Sequence, residues 1–420
     1  MNRVAEPTAK QAVAVVTAYF WPERLGCAPY MTDLANHLAR HGHAVDVFTA
    51  EPHYPRKDRQ FDADLRRDNA LGGLVVRRAR IFDRSSGRLG IRVMNDVLFA
   101  LQSAAAVTAA RRDWRAVLVL APTVLAVPAL RLMRPRGRLV AAVYDIESGL
   151  ARATGLVRRP FAARLLDAVE RWCLNRADAV LVLTPQMQTA LAAIGVTRPV
   201  HVVPIWPLVE LRAPDGRNPA RTLMYSGGLT RRHGAHLLAP LWHHLRRQMP
   251  DCRLIVQGDG AARDSILREL CAAGGHVVVR PSVDRNALAS SLAEADLQLV
   301  LQAGPAAAFS MPSKALTCLA AGVPFLTNAP AGSPLADVAM ASGGGRVAPG
   351  EAPALATAAV SLLTAPQELR AMAARGLAYV RDHHDPSRLL RRYDALLFAS
   401  PQTGAVGSAR PLAPKAAAEP

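Results

Sequence analysis

Predominantly apolar runs, short and rich in β-branched residues, alternate with amphipathic stretches along nearly the whole chain. Such runs occupy 12–17, 43–49, 74–78, 116–120, 139–143, 179–183 and 201–203, with helical spacing between them. Strands that are apolar throughout, rather than at every second position, are buried on both faces, as in a parallel sheet covered by helices. The helix predicted over 29–40 has Pro29 where a first turn tolerates it and Gly42 where it stops. Residues 207–221 break the alternation with prolines, a glycine and mixed charge, which reads as a linker. The pattern then restarts with runs at 222–226, 253–257, 276–280, 296–301 and 323–327. An α/β fold of two doubly wound, Rossmann-like domains facing across a cleft is expected, over 11–206 and 222–385. A last helical stretch, 386–400, could pack back on the first domain, and 1–10 and 401–420 read as loose tails.

Composition narrows the function classes. Half of the 420 residues are hydrophobic and 20% are charged, enough for large cores. Lys+Arg number 51 against 33 Asp+Glu, a formal +18, which points to a polyanionic neighbour. Between Arg77 and Arg138 thirteen arginines face only Asp83, Asp96 and Asp113. Within that stretch Val93, Met94, Val97, Leu98 and Leu101 recur at helical spacing, so the segment either rests on anionic lipid or faces the core with a solvated basic rim. Aromatics make up only 5% and no nucleic-acid module is present, which disfavours nucleic acid as a partner. The five cysteines stand singly, without zinc-site or disulfide spacing, as in a reducing compartment. The longest apolar run, 116–130, is interrupted by Pro122 and Pro128 and is too short to span a bilayer. Segment 11–20 lacks a basic leader and reads as a strand, so the expected location is cytoplasmic, peripheral on the inner membrane face if lipid is bound.

In open parallel sheets ligands bind at the carboxyl ends of strands, so the loops there carry the candidate chemistry. Gly26, just before the first helix, could admit a phosphate or sugar to backbone N–H groups, or simply turn the chain. Gly227 and Gly228 followed by Arg231 and Arg232 form a plausible diphosphate cradle, or a flexible turn with solvated arginines. Gly258-Asp-Gly260 follows the next strand and could line a base or turn the chain. Lys314 is one of only four lysines, and its place in a strand-to-helix loop points to a need for a compact ammonium; Ser313 beside it would cap the helix. Asp145 and Glu147 follow the strand at 139–143 and share a face if that strand persists, where a carboxylate could orient a hydroxyl or accept a proton. The histidine doublets His41/His43, His243/His244 and His383/His384 lack metal-site spacing and are expected at the surface; no metal is expected.

Together these residues resemble a known family. Tyr19-Phe-Trp-Pro with Gly26, Leu38-Ala-Arg-His-Gly-His43 and Val47-Phe-Thr-Ala-Glu-Pro-His-Tyr-Pro55 are similar to the start of family-four glycosyltransferases of the colanic-acid and capsule-biosynthesis type. Asp145-Ile-Glu147, Glu170-Arg-Trp172, Arg176-Ala-Asp-Ala179, Tyr225-Ser-Gly227, Gly258-Asp-Gly260, Met311-Pro-Ser-Lys314 and Leu319-Ala-Ala-Gly-Val-Pro324 continue the resemblance in order. The resemblance implies a GT-B fold and a retaining, metal-independent hexosyltransferase without cofactor. It implies a nucleotide-sugar donor, such as a UDP- or GDP-sugar, held by the second domain, and a lipid-linked or polysaccharide acceptor held by the first. By it Arg232 and Lys314 neutralise the donor diphosphate, Gly26 lies under the phosphates, and Asp145 sits near the transferring sugar. The chain departs from the pattern where many relatives carry two glutamates, here Phe309 and Thr317, and at Gly228, His233 and Ile205. A nucleotide-sugar epimerase on the same fold and a catalytically silent scaffold of glycan assembly are the competing readings.

Overall fold

A computed structural model describes residues 11–24, 26–52, 73–82, 89–121, 123–133, 137–157, 159–213, 221–230, 233–260, 262–302, 304–311 and 313–399. Both expected tails, linker residues 214–220, Arg231 and Arg232 lie outside the described residues, as do Arg84, Arg88, Arg134 and Arg136 of the basic stretch.

The first domain is built on β1 (Ala12–Val16), β2 (Ala44–Ala50), β3 (Leu74–Ala79), β4 (Trp114–Leu120), β5 (Arg138–Val143), β6 (Ala179–Val182) and β7 (Val200–Val202). They form one parallel sheet in the order β3-β2-β1-β4-β5-β6-β7. Its helices are α1 (Ala28–Arg40), α2 (Leu89–Ala109), α3 (Ala126–Met133), α4 (Glu147–Ala153), α5 (Pro160–Leu174) and α6 (Pro185–Ala193). The order reverses between β1 and β4. Right-handed crossovers therefore put α1 on one face and α2, α3 and α5 on the other, where α2 packs on α3 and α3 on α5. Continuous burial of Val13, Ala14, Val15 and Val16 is what helices on both faces impose.

The second domain repeats the scheme with β8 (Thr222–Ser226), β9 (Arg253–Gln257), β10 (His276–Arg280), β11 (Leu297–Leu299), β12 (Phe325–Thr327) and β13 (Gly345–Val347), all parallel in the order β10-β9-β8-β11-β12-β13. Around it lie α7 (Leu238–Gln248), α8 (Arg263–Ala273), α9 (Arg285–Leu292), α10 (Ser313–Ala320), α11 (Pro334–Ser342), α12 (Ala352–Leu363) and α13 (Pro366–His383). The final helix, α14 (Pro386–Phe398), returns to the first domain and lies against α1, β4 and β5. There His37 meets Asp394 at 2.9 Å and the Tyr144 and Tyr393 hydroxyls are 3.0 Å apart. Tyr30, Tyr144, Trp206 and Tyr393 stack edge to face with centroids 5.4–6.2 Å apart, filling the joint between the domains.

Two expectations are corrected. His43 and His384 are buried, not at the surface: His43 packs on Phe398, and His384 Nδ1 donates to the Ile205 carbonyl at 2.8 Å. Burial lowers the His384 pKa to about 4, so the ring remains neutral at physiological pH. The strand at 139–143 does not persist. It ends at Val143, and Glu147 opens α4.

Candidate active site

At the carboxyl end of β8 the chain turns at Gly227, whose φ of +141° is a glycine conformation. The turn has a second requirement: a Cβ on Gly227 would overlap Nζ and Cε of Lys314, whose side chain lies directly across it. Lys314 comes from the first turn of α10. Its Nζ sits 4.7 Å from the Tyr225 ring centroid and 3.5 Å from the Tyr225 hydroxyl. Burial lowers its pKa to about 8. Among the described residues no carboxylate supports its charge, and the neighbouring Cys318 thiol, raised to about 12 by burial, is itself neutral at physiological pH. A cation held in low dielectric without an anionic partner is disposed to bind an anion.

Gly258 and Gly260 serve this turn from behind. A Cβ on Gly258 would overlap the Gly227 carbonyl, and one on Gly260 would overlap that of Leu229. The close approach is fastened by Gly227 N–H to Gln257 O and Leu229 N–H to Asp259 O, both 2.8 Å. Gly258 spends its own N–H on Arg280 O at 3.1 Å, so its part is to shape the Gly227–Gly228 turn from the rear.

Facing this from the first domain is the loop before α1. Gly26 has φ +64° and open space around the position of a Cβ. Burial and the carboxylates of Asp145, Glu23 and Glu147 all push the Cys27 thiol pKa up, so three acidic groups converge at the amino end of α1. Asp145 and Glu147 thus meet near one thiol although they are not on one strand. The Asp145 backbone bridges to Ser310 of the second domain, and Ile146 N–H donates to Phe309 O at 3.1 Å. This ties the carboxylate loop to Ser310, four residues ahead of Lys314 in the sequence.

The amino end of α4 has no cap from its own segment. Its N-cap residue is Ile146, whose side chain cannot accept a hydrogen bond. Instead the buried Glu170 of α5 accepts from the Glu147 and Ser148 N–H groups at 3.2 Å each, and burial raises its carboxyl pKa above the usual range. Glu170→Ala is expected to lower stability by about 2–3 kcal/mol in urea unfolding, because two N–H groups lose their acceptor inside the protein. Glu170→Gln, which keeps one acceptor oxygen, is expected to lose clearly less.

Two family profiles match the chain one after the other: "Glycosyl transferase 4-like domain" over residues 26–206 and "Glycosyl transferases group 1" over 220–365. The chain is a family-four glycosyltransferase. WcaI of Escherichia coli, a protein named for glycosyl transfer in colanic acid biosynthesis, is 26% identical over 329 residues, covering 72% of this chain and 79% of the relative. Among solved structures, sucrose-phosphate synthase of Thermosynechococcus elongatus matches with a TM-score of 0.72 at 18% identity, over 92% of this chain and 98% of that one. HepE of Anabaena, solved with UDP and glucose, matches with a TM-score of 0.67 at 15% identity, over 93% and 100%. These likenesses establish the two-domain GT-B fold.

Within this glycosyltransferase the positions that depart from the family pattern carry structure. The Phe309 ring packs so closely on Gly149 of α4 that a Cβ there would overlap it, making an apolar contact between the domains. Thr317 is buried, with its hydroxyl donating to the Ser313 carbonyl at 3.0 Å. Ser313 is the first residue of α10 rather than its cap and faces the Tyr30 hydroxyl from across the cleft. Sequence reasoning missed a clasp at the joint. Asp33 of α1 receives both guanidinium nitrogens of Arg285 from α9, at 2.7 and 2.8 Å, and the Trp206 indole N–H at 3.0 Å. Arg285 also donates through Nε to the Leu208 carbonyl at 2.8 Å, which pins the start of the linker. Glu23, the third carboxylate near Cys27, was also missed; it stands between the Tyr19-Phe-Trp-Pro run and Gly26, but no spacing rule links it to Asp145.

Proposed function

We propose that this glycosyltransferase takes its sugar from a nucleoside diphosphate donor held on the second domain and delivers it to a lipid-linked or polysaccharide precursor of the cell envelope. The observation that carries the reading is Lys314. Its half-buried side chain, without a described carboxylate partner, lies on a glycine turn at a strand's carboxyl end. In this role Lys314, with Arg231 and Arg232, receives the departing diphosphate, and Gly227, Gly228 and Ser313 let it approach the backbone. Gly258 acts through the shape of that turn, and Gly26 lets the phosphates approach the amino end of α1. Asp145 and Glu147 orient the acceptor hydroxyl and the cationic sugar ring as the glycosidic bond breaks.

The protein's own cations serve the leaving group, so in this reading transfer proceeds without a metal; retention at the anomeric carbon is what the family resemblance implies. The UDP in the HepE structure and the colanic acid named for WcaI support the donor and acceptor classes. The work takes place at the cytoplasmic face of the membrane, to which the basic stretch between Arg77 and Arg138 draws the protein. No helix among the described residues is long and apolar enough to cross a membrane.

Thermal unfolding with UDP, GDP and dTDP tests the donor half. One of them at a hundredfold excess over its Kd is expected to add about 2.7 kcal/mol of stability. A flat response to all three would remove the basis for a nucleotide-sugar donor. Mass spectrometry of a panel of nucleotide sugars incubated with the protein, scored for donor cleavage, then names the sugar; conversion of donor into its epimer would contradict transfer.

A further inference from the structure

Helix α5 exposes the wrong face. Phe161, Leu165, Val169 and Trp172 follow at steps of four, four and three residues, which aligns them in one stripe. That stripe faces outward: Phe161 is 78% exposed, Leu165 53% and Trp172 48%. Its buried side carries Glu170, Cys173 and Leu174. A helix on a water-facing surface has the reverse arrangement. The apolar surface continues onto the end of α3, which packs against α5 and exposes Leu132 at 78% and Met133 at 45%.

Charge selects the occupant. Arg159, Arg164 and Arg171 are exposed along α5, and Arg176 just beyond it stacks on the Trp172 ring with 3.8 Å to the centroid. The two acidic residues of the helix are withdrawn from the outer face: Asp167 pairs with Arg152, and Glu170 is buried under α4. A concavity of about 490 Å³ lined by Ala168, Val169, Arg171, Trp172, Asn175 and Arg176 sets two guanidinium groups beside an aromatic ring at the end of the stripe. A second copy of this chain would bring a like-charged rim against this one. A bilayer with anionic headgroups offers negative charge to the rim and an apolar boundary to the stripe, with aromatic rings at both ends of the helix.

We infer that the outer face of α5 is a membrane-docking surface for anionic phospholipid, with Phe161, Leu165 and Trp172 entering the headgroup boundary and Arg164, Arg171 and Arg176 meeting the phosphates. It goes beyond the basic stretch between Arg77 and Arg138, because it assigns insertion to a different helix. The exposed Val93, Met94 and Val97 of α2 lie on the same side of the sheet and extend the contact. The inference does not depend on the identity of the donor.

Co-sedimentation of the full chain with vesicles tests it. Binding is expected to vesicles of mixed phosphatidylglycerol and phosphatidylcholine, to weaken with salt, and to be at least tenfold weaker on pure phosphatidylcholine. The F161E/W172E variant is expected to lose at least tenfold in affinity for the mixed vesicles while cleaving donor in solution at the normal rate. In the unaltered protein tryptophan emission is expected to shift to the blue on adding the mixed vesicles, and W172F is expected to abolish the shift. Unchanged vesicle binding by F161E/W172E, an emission that does not respond, or binding lost only in V93E/V97E would overturn the assignment to α5. So would a concentration-dependent dimer that F161E/W172E dissolves, since that would make a second copy the occupant.

Discussion

Replacing Lys314 with alanine is expected to lower the rate of sugar transfer by about a hundredfold to a thousandfold, the usual cost of losing one preorganised charge at a site of developing negative charge. Folding should survive, because the residue leaves behind an apolar cavity against Tyr225 rather than an unpaired charge. The pH dependence separates an electrostatic role from a packing role. Lys314 has its pKa lowered to about 8 by burial, and a bound diphosphate favours the charged form and raises it again. Affinity for a nucleoside diphosphate is therefore expected to be highest below pH 8 and to fall by about tenfold per pH unit above it, until the pKa of the complex is reached. Stability of the nucleotide-free protein moves the opposite way for this group. The folded pKa lies below the ordinary lysine value of 10.5, so the cost of burying the charge is full below pH 8 and is relieved between about 8 and 10.5. Calorimetric titration of the selected nucleotide from pH 7 to 9.5 checks the first statement. Lys314→Ala should bind weakly with a flat profile over that range, and an unaltered slope in the variant would assign the titration to another group.

The largest effect on stability is expected at Gly258. An alanine there puts Cβ into the Gly227 carbonyl, a contact of backbone on backbone that no rotamer change can relieve, at φ +148°. Strain and displacement together should cost about 3–5 kcal/mol, read as a large fall in the urea midpoint of the second domain. Gly26→Ala is the matched control. It has φ +64° but open space, so only the backbone penalty of about 1 kcal/mol applies. If the two variants were equally destabilised, dihedral preference rather than close approach would govern Gly258.

The alternation of strands and helices was legible because both sheets are parallel and doubly covered, so each strand announces itself as an unbroken apolar run. Strand β13 escaped because it has three residues, Gly345–Val347, and begins on glycine, a weak strand former. Lys314 could be found because lysine is scarce in this chain, which turns one ammonium into a signal. The Asp33–Arg285 pair could not, since the two residues stand 252 positions apart and are brought together only by the packing of one domain on the other. His43 and His384 were misplaced for a related reason. A doublet beside charged residues reads as solvated, and the helix that buries His43 arrives from the far end of the sequence. Asp145 and Glu147 were found by position, but their arrangement was not. The turn after Val143 is imposed by pairing with Ser310 and by Glu170, neither of which is local.

The main chain passes between the domains twice, once after Trp206 and once between α13 and α14, and the two passages are tied to each other by the His384 hydrogen bond to the Ile205 carbonyl. The domains also touch through the Asp145–Ser310 bridge, the Ile146–Phe309 hydrogen bond, the Phe309–Gly149 contact and the Asp33–Arg285 pair. Any parting of the two halves to exchange substrates has to release these ties, and remaking them restores the same register.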